Sequence, residues 1–275
     1  MQTGARTLAW RIAEASVIGV LVLPALGGLA IAAPDATKLA LDSQRASQVL
    51  GGKFELTFEL ASSSGGKRVR KVTSLIATNV HTRESSRLTR FDYPADAKGL
   101  ATLLVEHNGG EDELWVYLPA AKKARRLFAS NKRDSFMGTV LSHGDVLGHK
   151  PLDWTHQNNG DGTVDEQFCW RVVSLPKNED VRRNSGYSKR EMWLDKVSTF
   201  PLRTDFWDES GKLSKTIVSK DVRRVAEQPG AYVSYRIEAR DLISSSATTI
   251  TIDRFTFKND LDSNTFHPAE LGVYD

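Results

Sequence analysis

Between Lys53 and Ala61 the chain reads KFELTFELA: Phe54, Leu56, Phe58 and Leu60 alternate with Glu55, Thr57 and Glu59. A period of two puts the apolar set on one face of an extended strand and the polar set on the other, which a helix cannot do. Such a strand is half-buried and needs a partner. Ser62-Ser63-Ser64-Gly65-Gly66 has the composition of a turn, and KRVRKVTSLIATNV after it reads as the partner strand. The theme recurs in SSRLTRFDYP, ATLLVEH, ELWVYLP, GYSKREMWLDK, the pair within FPLRTDFWDESGKLSKTIVSKDV, AYVSYRIEARD and ATTITIDRFTF. These runs are rich in aromatic and β-branched residues, as strands prefer. They amount to about ten strands spaced as a meander. No βαβ alternation is present, so a doubly wound parallel sheet is excluded.

Helical signals are sparse. Asp42 to Leu50 reads as a short helix closed by Gly51-Gly52, with Ala46, Val49 and Leu50 on one side. Leu127 to Gly148 lacks alternation and is expected to be loop with a short helix, and Ser174 to Gly186 to be a polar loop. One long, twisted antiparallel sheet follows, and a sheet of that length must curl or close to protect its edges. If it curls, the inner faces of its strands enclose a cavity.

The N-terminus carries Arg6 and Arg11, then the apolar run ASVIGVLVLPALGGLAIAA from Ala15 to Ala33. A basic start, an apolar middle and a small-x-small end at Ala30-Ile31-Ala32 describe a secretory leader. The rival is a retained anchor, since the run approaches the length of a span. The breakers Pro24, Gly27 and Gly28 favour cleavage, giving a leader over 1–32 and a single domain over 33–275. No cysteine follows the cleavage site to carry an acyl group. The remaining chain is about 240 residues long, enough to be held by its own core. Its net charge of +3 falls to +2 without Arg6, Arg11 and Glu14, which argues against a nucleic-acid partner. Cys169, the one cysteine, has no disulfide partner and is expected to be a small buried hydrophobe. Export without a disulfide framework points to the periplasm of a Gram-negative bacterium.

The stretch SFMGTVLSHGD holds Ser135, His143 and Asp145, the residue types of a hydrolytic triad. Triads assemble in space, however, and Ser135 lacks the G-x-S-x-G elbow. The plainer reading is a capping serine, a surface histidine and a loop aspartate. His143, Asp145 and His149 are metal-ligand types, but no spacing fixes a geometry for them. NNGDGTVDE fails the calcium-loop spacing and reads as a hairpin turn. The expectation is therefore no enzyme, no metal and no cofactor.

Several motifs carry a resemblance. Pro94-Ala95-Asp96 with Gly99 precedes a strand, and Trp115 with Tyr117-Leu118-Pro119 follows in the next. Arg125-Arg126 then leads to Ser135-Phe136-Met137-Gly138-Thr139 and Asp145, and YSKREMWLDKVSTFPLRTDFWDESGKLSKT extends the pattern. Together they resemble the outer-membrane lipoprotein-sorting protein family, the LolA-like periplasmic carriers, in the branch associated with RND-type exporters. The resemblance implies a mainly β fold: an open, incomplete antiparallel barrel of about eleven strands plugged by a few helices, whose concave face takes lipid acyl chains. The two departures are VLSHGD after Thr139, where the family has an aromatic-acidic stretch, and a cargo that membership does not name. Expected lining residues are Leu103, Val105, Trp115, Val116, Tyr117, Leu118, Phe136, Met137 and Trp193, with Phe136-Met137 in a lid. Arg125 and Arg126 are expected to meet a headgroup or a partner. Expected partners are lipid or lipoprotein acyl chains, an inner-membrane RND-type transporter and an outer-membrane acceptor, the carrier itself being a monomer. The competing reading is a non-catalytic accessory protein of an exporter or envelope assembly, which would have a filled interior in place of a cavity.

Overall fold

The computed structural model describes residues 34–273, so the expected leader and its cleavage site lie outside the described residues. Thirteen strands form one antiparallel sheet. In chain order they are β1 (Gly51–Ala61), β2 (Lys67–Thr78), β3 (Ser85–Tyr93), β4 (Ala101–Val105), β5 (Glu113–Leu118), β6 (Lys123–Leu127), β7 (Trp154–Val164), β8 (Gln167–Pro176), β9 (Tyr187–Asp195), β10 (Pro201–Asp208), β11 (Leu213–Arg224), β12 (Tyr232–Asp241) and β13 (Ala247–Phe257). Sequential neighbours pair throughout except between β6 and β7, and β1 pairs with β13. The free edges are therefore β6 and β7, which are consecutive in the chain. The segment 128–153 joining them is the natural plug of the open sheet.

The alternation foreseen in β1 holds. Phe54, Leu56 and Phe58 face the interior with Ser74, Ile76 and Thr78 of β2. The interior packs in two main clusters. One gathers Phe58, Leu60, Val72, Phe91, Phe136, Leu141, Ala239 and Ile250; the other gathers Val49, Phe54, Ile76, Val225, Ala231, Val233 and Ile252. Burial of each such side chain contributes about 1.5–3 kcal/mol.

Helix α1 (Ala36–Ser47) lays Ala36, Leu39 and Ala40 on Val172, Met192 and Leu194 and so covers the β8–β9 end of the same face. It starts and ends earlier than Asp42 to Leu50. Asp35 caps it by accepting from Lys38 N at 2.6 Å, and Gln48 is already extended on the way into β1. The expected loop over 174–186 contains α3 (Glu179–Ser185), begun by Asn178, whose side chain accepts from Val181 N at 2.9 Å, and ended by left-handed Gly186. The strand count exceeds both expectations because β6, β7 and β8 escaped the alternation reading. Cys169 is fully buried, as expected of it. Among the described residues no helix is long and apolar enough to cross a membrane.

Candidate functional site

The plug determines the site. After β6 the chain makes a 3-10 turn (Ala129–Arg133), passes through 135–141, forms α2 (His143–Leu147) and a second 3-10 turn (Pro151–Asp153), then enters β7. Within it Phe136 N donates to Leu141 O at 2.7 Å and Thr139 N to Phe136 O at 3.0 Å. Met137 and Gly138 both take positive φ, 51° and 75°, so this tight loop turns in the left-handed region that Gly138 tolerates and Met137 does not favour. Arg70 Nη1 on β2 donates to Met137 O, and Val140 N donates to Thr248 Oγ1 on β13 at 3.0 Å. Phe136 is thereby set into the core at 2% exposure.

A second anchor is ionic. Ser142 caps α2, accepting from Asp145 N at 3.0 Å while Asp145 Oδ2 accepts from Ser142 N at 2.9 Å. The same carboxylate accepts from Lys215 Nζ of β11 at 2.7 Å and from Tyr187 Oη of β9 at 3.1 Å. Lys215 Nζ also donates to Tyr187 Oη at 2.7 Å, and His149 Nε2 lies 3.2 Å from Asp145 Oδ1. Burial pushes the Asp145 carboxyl up, but the charge of Lys215 and the bonds from His149 and Lys215 outweigh it and hold the group well below the usual carboxylate range. Burial pushes the His149 imidazole down, against its bond to Asp145. The ring packs edge-on to Trp154 and Tyr187, at 5.6 and 5.7 Å between centroids.

Between plug and sheet lies a cavity of about 410 Å³. Phe54, Phe58, Ile76, Ile217, Ile237, Ile250, Ile252 and Phe206 make its walls apolar, α1 closes one side with Ala40 and Ser43, and Phe136, Leu141 and Val146 close another from the plug. Polar groups interrupt this lining, among them Ser74, Thr89, Ser219 and Ser234, the acids Glu106 and Asp145, and the cations Arg87 and Arg190. The volume falls in the range of small-molecule pockets, about 300–1,000 Å³.

Of the residues expected to line a cavity, Phe136 does so. Met137 packs beside it at the edge of the same core cluster. The register sends Leu103, Val105, Trp115 and Tyr117 to the opposite face of the sheet, where Leu88 and Ala101 join them. Phe266 and Leu271, in C-terminal 3-10 turns, cover that face. Gly272 touches Tyr117 so closely that a Cβ there would come within 2.9 Å of the ring. Val116 and Leu118 point to the cavity side of β5 but lie beyond the cavity, and Leu118 is exposed. Trp193 is on the outer face, between the guanidinium groups of Arg171 at 5.6 Å and Arg203 at 4.8 Å. Arg125 and Arg126 are exposed on edge strand β6, opposite Val116 and Trp115 respectively, so they lie on different faces; Arg126 stacks over Trp115 at 6.0 Å.

Ser135, His143 and Asp145 do not meet as a triad. Ser135 Oγ donates to Thr139 O at 2.7 Å, His143 packs edge-on to Phe136, and Asp145 is engaged with Lys215. Among the described residues no three of His, Cys, Asp or Glu assemble as metal ligands. Sequence reasoning passed over Arg190, Lys215 and Arg87. The signal was present: Arg190, Met192 and Leu194 occupy alternate positions of β9, so an arginine stands in an apolar register. Lys215 precedes Ile217 in the same way on β11.

Three of the six histidines set the acid response. Burial pushes His143, His149 and His156 below the ordinary imidazole value. The unfolded chain therefore takes up protons near pH 6.5 that the folded chain refuses, so stability is full above about pH 7 and declines as the pH falls through that value. Glu106, pushed up by burial against its bond from Ser85, works in the opposite sense just above its usual value. Three groups against one give a lower thermal midpoint at pH 5 than at pH 7.5. Equal midpoints would show that these imidazoles are reached by water in the folded state.

The fold is shared with a domain from Vibrio parahaemolyticus described as an outer membrane lipoprotein-sorting protein domain (TM-score 0.79, 23% identity, covering 86% of this chain and 98% of that one). A DUF1329 family protein from Desulfovibrio piger is similar (0.78, 22%, 86% and 97%), as is a LolA superfamily protein from Nitrosomonas europaea (0.66, 17%, 86% and 98%). No curated protein matches the sequence. A family model described as "Uncharacterized protein" matches residues 83–272. The chain belongs to that family, and its fold is that of the outer membrane lipoprotein-sorting domains of the LolA superfamily.

Proposed function

We propose that the protein is a non-catalytic periplasmic carrier that holds the apolar part of a lipid, such as a lipoprotein's acyl chains, in the half-barrel cavity and passes it towards the outer membrane. The cavity is the observation that carries this reading: an interior built for packing alone would be filled at the density of ordinary cores, whereas here about 410 Å³ stays open among isoleucines and phenylalanines. Sequestering about twelve methylenes would contribute roughly 10 kcal/mol before the cost of moving the plug. An inner-membrane RND-type transporter as donor and an outer-membrane acceptor fit such a route. The accessory-protein alternative needs a filled interior and is disfavoured on the same observation.

The test is occupancy. Organic extraction of purified protein followed by mass spectrometry should recover a lipid, and a fluorescent fatty-acid probe should bind with one-to-one stoichiometry. Ile237→Trp, which places a large ring in the cavity, should abolish probe binding while the chain stays folded by circular dichroism. A protein that carries no lipid and binds no probe is not a carrier.

A further inference from the structure

The cavity wall holds a cation to which, among the described residues, no hydrogen-bond acceptor is offered. Arg190 is 5% exposed and lines the cavity. Among the described residues its guanidinium forms no hydrogen bond and no ion pair, and its Nε is enclosed without an acceptor. One face is covered by the Trp154 ring, 4.6 Å away, a contact that partly offsets the lost hydration. The nearby Asp145 carboxylate is already committed to Lys215, Tyr187 and Ser142 N. Asp153 is on the exposed surface. Burial pushes the Arg190 guanidinium down to about 9, against the charges of Asp145 and Asp153, and the group remains a cation at neutral pH. Asp145, Lys215 and Arg190 together therefore leave one positive charge in excess inside the protein.

An unpaired buried guanidinium is expensive. It is also the group best shaped for a carboxylate or phosphate, which it meets with two parallel charge-assisted hydrogen bonds. The combination of this cation with an apolar cavity selects for a molecule having both an acidic head and an apolar tail. We propose that the cavity takes an anionic amphiphile, its chain among Phe58, Ile237 and Ile250 and its carboxylate or phosphate head on Arg190. The inference rests on the carrier reading and narrows it: neutral amphiphiles of the same chain length become poor ligands.

The experiment compares displacement of a fluorescent fatty-acid probe by palmitic acid, lysophosphatidic acid and hexadecanol, in the wild type and in Arg190→Leu and Arg190→Lys. The wild type should prefer at least one acid to the alcohol by about tenfold or more, and the stronger acid identifies the head as carboxylate or phosphate. Arg190→Leu should erase that preference without weakening the alcohol, and Arg190→Lys should keep most of it. If Arg190→Leu does not fold, Arg87→Leu decides the matter, because a preference that survives it leaves the acidic head on Arg190. Equal binding of acids and alcohol by the wild type overturns the assignment and leaves the carrier standing, with Arg190 satisfied by water. Loss of the preference in Arg87→Leu but not in the Arg190 variants overturns it as well. Failure of every amphiphile to displace a probe, or of the probe to bind, overturns the carrier itself.

Discussion

Asp145→Ala is expected to lower the free energy of unfolding by about 3–5 kcal/mol, the cost of breaking a buried ion pair from one side. The carboxylate performs two tasks that alanine cannot. It completes the cap of α2 by accepting from Ser142 N, and it ties the plug to the sheet through Lys215 and Tyr187. Its side chain is 1% exposed and that of Lys215 is 11% exposed, so removal leaves an ammonium in the interior with the Tyr187 hydroxyl as its hydrogen-bond partner and the Tyr187 and Phe206 rings beside it. Much of the loss should return in Asp145→Leu combined with Lys215→Met, because deleting both charges removes the desolvation cost along with the attraction. Urea unfolding of the two singles and the double gives the coupling directly. A single-site cost below about 1 kcal/mol, the range of exposed pairs, would mean that the plug is held by packing and not by this latch. The latch also predicts locality: amide exchange at Phe136 and Leu141 should quicken in Asp145→Ala more than exchange in β1 or β13.

The sheet was legible where a strand is half-buried, and obscure at its two edges and in β8 beside one of them. β1, β2, β12 and β13 bury one face and expose the other, and alternation is the direct consequence. β6 is KARRL, with charges on both faces, and β7 is WTHQNNGDGTV, without an apolar side chain between Trp154 and Val164 and broken by a register shift between Asn158 and Asp161. Edges must be protected from further pairing by charge, polarity and irregularity, so the features that keep them soluble also erase the period. The site was less legible than the fold for a related reason. Alternation tells which residues share a face but not which face is concave, and naming both sides of β5 brought in Trp115 and Tyr117, which the C-terminal segment covers from outside. The inward side of the neighbouring β3 and β4 is the more polar one, Arg87 and Thr89 with Thr102. What marked the interior was the odd charge in an apolar register, at Arg190 and Lys215.

Phe136→Ala should cost about 3–5 kcal/mol, the usual range for truncating a buried aromatic ring, and lower the thermal midpoint by about 10 °C for a domain of this size. The ring is 2% exposed, shares its cluster with Phe58, Phe91 and Ile250, and stands edge-on to His143 at 5.5 Å. It is also the plug's contribution to the cavity wall, so its removal joins a ring-sized void to the cavity already there. Stability and binding should therefore move in opposite directions: the variant unfolds more easily, while a fatty-acid probe binds at least as tightly as to the wild type and a bulkier chain is newly admitted. Phe136→Leu, which keeps most of the apolar volume, should recover more than half of the lost stability. The contrary pattern, near-normal stability with probe binding lost, would make Phe136 a contact that grips the ligand. The hydrogen bonds that seat this loop, from Arg70 to Met137 O and from Val140 N to Thr248 Oγ1, would then position a binding residue, not a stopper. Because the backbone just after Phe136 is fixed to β2 and β13, opening the cavity requires that these two tethers release together with the Asp145 latch, and the Phe136→Ala variant isolates the packing part of that barrier from the polar part.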